Sequence, residues 1–313
     1  MDFRVGKEIM ISTRLGGRIL PLRGRGPRPA GAEGVALGRS GRRRVALGVL
    51  SFLCCLGAWA SPNFPARVVS SSGLGAGFYS NPLSVLGPPT SASAGIRVSL
   101  GFGAFGSEPS GLPVVTTIPT GGQITVEFDP PVRDDPKNPY GRDFIVFGNG
   151  FVGLSQQFAA PTLADQVTVT GGPDFFEPMR VSISPDGLAW YTYPLSLNQG
   201  ADGFAPTQAD RWNPLSRTWG PRSNFHLPIP PTVTRAGWTG KTLAEAIASL
   251  QGSGGGTAFD LAPSGFRWIR FIKIEGGGGE VDAISRVLPA FQSTSRDGRL
   301  RPIGNLPIKG EKP

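Results

Sequence analysis

The stretch Gly141-Arg142-Asp143-Phe144-Ile145-Val146-Phe147-Gly148-Asn149-Gly150-Phe151 decides how the chain is read. Its middle, Phe144 to Phe147, is a run of aromatic and β-branched residues. Four such positions are too few for a helix and suit a central strand with both faces covered. Asp143 bounds the run on one side and glycines bound it on the other. The side-chain period of two sets Asp143 and Asn149 on one face, roughly 20 Å apart at about 3.3 Å per residue, too far to share a small ligand.

The sequence around this strand has the same character. Ile124, Val126 and Phe128 alternate with Thr125, Glu127 and Asp129 as a half-buried strand should, and Ile96, Val98 and Leu100 repeat the pattern. Met179, Val181 and Ile183 alternate with Arg180, Ser182 and Ser184, and Pro185-Asp186-Gly187 supplies a turn before a return strand over 189–193. Residues 267–275 and 281–287 are two further strands with Gly276 to Gly279 as the turn between them. Leu243, Ala246, Ile247 and Leu250 share one face of a helix over 241–250, stopped by Gly252 and Gly254. Many short strands with frequent turn signals and one helix predict an all-β fold, an antiparallel jelly-roll-like β-sandwich with one short helix in an insertion. A parallel α/β fold is excluded, because the helices to cover its sheet are missing.

The chain divides into residues 1–60 as leader and signal peptide, 61–94 as an extended lead-in with one short β-like piece at Arg67 to Ser70, 95–289 as the β-sandwich domain with an insertion at 194–256, and 290–313 as a loose, flexible tail. The formal net charge of +9 suggests a nucleic-acid partner until its distribution is examined. Residues 1–60 hold 11 of the 31 Lys and Arg and three acids, leaving 20 basic against 19 acidic residues beyond them. Nothing past the leader therefore favours phosphate, and no nucleic-acid partner is expected. Arg42, Arg43 and Arg44 precede an apolar run from Val45 to Leu56, and Ala58-Trp59-Ala60 has the form of a signal-peptidase site, so cleavage after Ala60 is expected. About 12 apolar residues fall short of the roughly 20 that span a bilayer, so no stable membrane span is expected after cleavage. The long stretch 1–40 suggests a true start nearer the arginine cluster. Both cysteines, Cys54 and Cys55, lie in the apolar run, so the exported chain would have no disulfide and no thiolate metal site. The expected location is secreted, cell surface or periplasm.

Eight signatures occur in one order. They are Val85 to Pro89, Val98 to Gly101, Gly121 to Phe128, Asp143 to Phe147, Glu177-Pro178, Val181 to Trp190, Phe259 to Ala262 and Val281 to Ile284. The ordered set, covering roughly residues 79–287, resembles a family of secreted bacterial cell-surface proteins of the C-terminal-sorting-signal type, with a discoidin or galactose-binding-like domain. The resemblance implies export, a β-sandwich and a binding or surface role without known catalysis. Two departures stand out: no Pro-Glu-Pro motif with an apolar span and basic tail follows Pro289, and residues 194–240 are inserted.

Enzyme chemistry is short of parts. His226 is the only histidine and no Gly-x-Ser-x-Gly elbow accompanies it, which disfavours a Ser-His-Asp hydrolase. Paired carboxylates of a carbohydrate-active enzyme remain the alternative, and a purely structural surface protein is a third. Calcium suits an exported chain without cysteines, since it takes six to eight oxygen ligands from loops. One candidate set is local, Asp129, Asp134, Asp135 and Asn138; the other is dispersed, Asp143, Glu177, Asp260 and Asp282, each inside a family-like signature. Against both stands the plain alternative that these acids cap turns or accept backbone amides. Trp212, Trp219 and Trp238 are the candidate stacking platform for an extracellular glycan or surface polymer, against the alternative that they pin the insertion to the sheet.

Overall fold

The computed structural model describes residues 61–93, 96–107, 111, 113–156, 163–289, 291–292 and 301–302. The expected leader lies outside the described residues, as does most of the expected tail. In chain order the strands are β1 (Arg67–Ser72), β2 (Ala92–Ser93), β3 (Ile96–Arg97), β4 (Thr116–Thr117), β5 (Gln123–Arg133), β6 (Phe144–Gly148), β7 (Arg180–Ser184) and β8 (Tyr191–Thr192). They continue with β9 (Asp210–Asn213), β10 (Thr218–Arg222), the helix α1 (Leu243–Ser249), β11 (Thr257–Phe259), β12 (Trp268–Glu275), β13 (Glu280–Arg286), β14 (Phe291–Gln292) and β15 (Arg301–Pro302).

Two antiparallel sheets carry the fold, one in the order β1-β5-β12-β7-β8 and the other in the order β11-β6-β13-β4. Alternation explains their packing. Ile124, Val126 and Phe128 of β5, Val181 and Ile183 of β7, and Ile272 and Ile274 of β12 point from the first sheet into one core. Phe144 and Val146 of β6, Phe259 of β11, and Val281 and Ile284 of β13 meet them from the second. The all-β, antiparallel sandwich expected from the sequence is thus present, with one α-helix.

The apolar run of β6 is buried on both faces, as its composition requires. Its other two side chains, Ile145 and Phe147, turn away from the shared core and pack with Ala283, Val287 and Phe225. Phe225 belongs to the insertion, and its ring meets Phe147 edge-on at 5.6 Å between centroids. The insertion is therefore a second cover for the sheet. It builds a second core together with residues before it, in which Leu243, Ala246, Ile247 and Leu250 of the helical segment pack with Trp212, Trp238 and Phe204 of the insertion and with Val152 and Val167. The helix starts two residues later than the periodicity suggested, because Thr242 caps it: the backbone N–H of Glu245 donates to the Thr242 hydroxyl, and the Glu245 carboxylate accepts from the Thr242 N–H.

Three expectations change. The lead-in is part of the sandwich, since β1 pairs along β5 from Arg67↔Glu127 to Ser72↔Gln123. The β-like piece at Arg67 to Ser70 runs on to Ser72 as an exposed edge strand, which needs no apolar alternation. The glycines 276–279 do not close a hairpin: β12 and β13 lie in different sheets, so this turn carries the chain across the sandwich. The tail contains a short antiparallel pair, with Phe291 opposite Pro302 and Gln292 opposite Arg301. Among the described residues no helix is long and apolar enough to cross a membrane.

Ile272 sits at the centre of this arrangement, fully buried and paired with Val126 on one side and Ile183 on the other. Ile272→Ala should destabilise the chain by about 3 kcal/mol through lost burial and the cavity left behind. Leu215→Ala, at a position 96% exposed, should change stability by less than about 0.5 kcal/mol. Urea unfolding of both variants measures the contrast.

Candidate functional site

The dispersed acids do not converge on one point. Asp143 and Asp260 come together with Asp134, and Glu177 comes together with Asp202 and Glu280; in each trio one oxygen per carboxylate lies within 4.8 Å of the others. Asp282 joins neither.

Asp143, directly before β6, is 1% exposed. Its Oδ1 accepts from the backbone N–H of Asp135 at 3.1 Å and the side-chain amide of Asn138 at 3.0 Å, and its Oδ2 accepts from the N–H of Leu261 at 2.8 Å. These three donors tie the loop before β6 to the turn after β11. Burial pushes the carboxyl up to about 6, the hydrogen bonds pull it back, and neighbouring Asp134 pushes it further up. With its oxygens already engaged by N–H donors, Asp143 acts here as a brace. Asp260 is half-buried; one carboxylate oxygen accepts from the N–H of Ala262 at 2.8 Å and its backbone carbonyl accepts from the Tyr193 hydroxyl at 2.7 Å. In the local set, Asp129 and Asp134 are exposed, Asp135 accepts from the N–H of Lys137 at 2.9 Å, and Asn138 serves Asp143. The local set is thus a turn built around Asp143.

Asp282 is 2% exposed and sits at a register shift in β13. Its carboxylate accepts from the backbone N–H of Thr90 at 2.9 Å and from the Thr90 hydroxyl at 2.9 Å. Its contacts with Thr90 fasten the lead-in to the second sheet, and it leaves the candidate metal set.

The second trio is differently placed. Asp202 is 3% exposed and lies in a buried irregular segment, 200–209, that has no periodicity in the sequence. Met179 and Ala201 exchange backbone hydrogen bonds at 2.8 and 3.0 Å, and the Thr207 hydroxyl donates to the Gly148 carbonyl at 3.2 Å. Asp202 takes a positive φ of 56°, and its Oδ1 accepts from the N–H of Gly150 at 2.6 Å while its Oδ2 accepts from the N–H of Glu280 at 3.2 Å. Gly148 and Gly279 admit it: a Cβ at Gly148 would lie 2.3 Å from Asp202 Oδ1, and one at Gly279 would lie 2.5 Å from the Glu177 carbonyl. Glu177 and Glu280 are half-buried beside it. Burial, with the charges of Glu280 and Glu177, raises the Asp202 carboxyl to about 7 although two N–H groups oppose the shift. None of the ion pairs among the described residues involves Glu177 or Asp202. Three carboxylates gathered this way can hold a metal ion. Sequence reasoning found Glu177 but missed Asp202 and Glu280; the only available signal for Asp202 was its setting among small residues in Gly200-Ala201-Asp202-Gly203.

The tryptophan platform is not present. Trp238 is 1% exposed, donates its indole N–H to the Ser249 hydroxyl at 2.9 Å and packs on Phe204 at 4.8 Å. Trp212 is 8% exposed and meets Trp219 edge-on at 5.1 Å, while Arg97 covers Trp219 at 4.9 Å from its ring. Burial removes Trp212 and Trp238 from any sugar, and the half-buried Trp219 is packed against Trp212 and covered by Arg97. His226 is equally committed, its Nδ1 3.0 Å from the Arg286 carbonyl and its ring 5.1 Å from that of Phe64.

Two measurements follow from the buried acids. Asp143→Ala orphans its N–H donors and should cost about 3 kcal/mol in urea unfolding. Asp143 and Asp202 both protonate more readily folded than unfolded, so each lowers stability as pH rises from about 4 through its folded value. The cation-free chain should lose thermal stability between about pH 4 and pH 7, and Asp202→Asn should flatten the upper part of that decline. A midpoint that rises across this window would contradict it. Comparison with protein-family models, with curated proteins and with solved structures finds no match to this chain.

Proposed function

We propose that this chain is an exported, non-catalytic β-sandwich module of a bacterial surface or exterior, of the kind its ordered signatures resemble, which binds calcium through Glu177, Asp202 and Glu280 and presents a binding surface to a glycan or surface polymer. The observation that carries this reading is the raised Asp202 carboxyl held between two further acids. Collecting negative charge in a buried place costs stability unless a cation neutralises it. Three carboxylates supply oxygen ligands of the kind calcium uses, and the irregular loop setting suits calcium better than the stricter octahedron of magnesium. Export is supported by the arginine cluster, apolar run and Ala58-Trp59-Ala60 of the leader, and by the lack of cysteine after Cys55. The paired-carboxylate enzyme finds less support. Asp143, the other raised acid, is buried and already accepts three N–H donors.

Thermal unfolding of the full chain with calcium, with magnesium and with chelator tests the reading. Saturating calcium, at about 100 times its Kd, should add about 2.7 kcal/mol, a rise in Tm of roughly 5–10 °C. Magnesium should give a smaller rise. Glu177→Gln keeps the backbone anchors of the site and should abolish most of the calcium effect. A Tm that calcium and chelator leave unchanged would overturn the proposed cation site.

A further inference from the structure

Asn149-Gly150 follows directly on β6, and Asn149 is the only one of the chain's eight asparagines that is followed by glycine. That pair is chemically labile. The backbone nitrogen after an asparagine can attack the side-chain amide carbon and close a five-membered imide, and a following glycine has no side chain to obstruct it. We infer that Asn149-Gly150 is a latent imide-forming modification site, which Asp202 holds shut and which a cation on the acidic trio keeps shut. The cation's part in this rests on the reading of Glu177, Asp202 and Glu280 as a calcium site.

In the reaction the Gly150 nitrogen loses its hydrogen and bonds to Asn149 Cγ, the bond from Cγ to Nδ2 breaks, and the amide nitrogen leaves as ammonia with the proton that Gly150 gave up. Water then opens the ring. Attack at Cγ leaves an aspartate at position 149, and attack at the backbone carbonyl leaves an isoaspartate, whose main chain runs through Cβ and Cγ and is one carbon longer. Either product has a carboxylate where the amide stood, and no oxidant or reductant is consumed.

The imide nitrogen is planar, and Cγ takes the direction in which the N–H had pointed. In the folded chain that direction is occupied. The Gly150 N–H donates to Asp202 Oδ1 at 2.6 Å, and Asp202 is 3% exposed. Asn149 Cγ and Asp202 Oδ1 therefore compete for one position. Asp202 is anchored there from two further sides, since its Oδ2 accepts from the N–H of Glu280 and its backbone carbonyl accepts from the N–H of Glu177, both at 3.2 Å. Phe176 backs Gly150, where a Cβ would lie 2.7 Å from the ring. The Asn149 side chain meanwhile lies against Gly103, where a Cβ would be 2.2 Å from its Oδ1. With Gly150 buried and Asn149 half-buried, attack requires the contact with Asp202 to open first.

That contact belongs to the acidic trio. Asp202 is the member that touches Gly150, and one oxygen each of Glu177 and Glu280 lies within 4.8 Å of one of its own. A cation shared by the three draws the carboxylates together and fixes Asp202, whereas without one their repulsion favours opening. The effect also runs in reverse. The imide nitrogen carries no hydrogen, so Asp202 loses one of its two N–H donors, and the extra carbon of an isoaspartate displaces Gly150 when the ring opens. Modification thus dismantles the site that had prevented it.

The test incubates the full chain in mildly alkaline buffer, with calcium and with chelator, beside the same chain unfolded in urea. Mass spectrometry of the fragment holding Asn149 follows the gain of about 1 Da that replaces the amide by a carboxylate. The folded chain in chelator should react at least about tenfold more slowly than the unfolded one, and saturating calcium should slow it about tenfold again. Asp202→Ala should speed the folded chain about tenfold, while Asp202→Asn, which keeps an oxygen to accept from Gly150, should stay within about threefold of the wild type. Glu177→Gln should make the rate independent of calcium, and the modified chain, isolated by ion exchange, should lose most of the calcium-induced rise in Tm. A folded Asp202→Ala chain that reacts no faster than the wild type would overturn the inference, as would a wild type that reacts as fast folded as unfolded; the latter comparison decides if Asp202→Ala does not fold. Calcium that raises Tm but leaves the rate unchanged would keep the cation site and remove its control of Asn149. Calcium that changes neither would overturn the cation site, while a faster Asp202→Ala chain would still support Asp202 as the guard of Asn149.

Discussion

The two-sided burial of β6 is the constraint on which the rest of the structure depends. Phe144 and Val146 on one face and Ile145 and Phe147 on the other cannot all be covered by a single opposing sheet. The first sheet buries one pair, and the insertion is needed to bury the other through Phe225. What looks from the sequence like a long interruption is therefore part of the solution to a packing problem. Leaving a face of aromatic side chains in water would cost about 1.5–3 kcal/mol for each large side chain.

Both ends of the same strand are held by buried carboxylates, and the two ends differ in how that charge is balanced. At the start, Asp143 meets N–H donors from Asp135, Asn138 and Leu261, so its charge is distributed over hydrogen bonds within the fold. Just beyond the other end, Asp202 has two N–H donors but also Glu177 and Glu280 beside it. The first arrangement is a brace that closes on itself. The second gathers three carboxylates, and a region of that kind is where an external cation has something to offer. Gly148 and Gly279 make the second arrangement possible by leaving room for a carboxylate and a carbonyl where any Cβ would collide.

The sequence was most legible where burial imposes a period. Alternation identified β5 and β7, the richness of 267–275 in Trp, Ile and Phe identified β12, the helical face at Leu243, Ala246, Ile247 and Leu250 was legible at once, and the turn Pro185-Asp186-Gly187 led to β8. Legibility failed where burial has no period. The segment 200–209 is buried along its whole length and so shows no polar face, and β1 is exposed along most of its length and so shows no apolar one. The three tryptophans were named correctly as a choice between a binding platform and packing, but composition alone could not decide it. Trp238, with its indole N–H bonded to Ser249 and its ring on Phe204, shows that packing took them.

The sequence by itself determined the class of fold, the central place of Phe144 to Phe147 and the confinement of the net positive charge to residues 1–60, because each follows from local composition and period. Which acids meet was decided only by the tertiary structure. Asp143, Glu177, Asp260 and Asp282 belong to signatures far apart in the chain, and their grouping depends on which strand pairs with which and on where the chain crosses between sheets. Strand pairing is a long-range property: Asp282 reaches back to Thr90, Asp260 comes beside Asp143, and Glu177 finds Asp202 and Glu280. The contact between Gly150 and Asp202 arises in the same way, since only the folded chain brings the segment 200–209 against the end of β6.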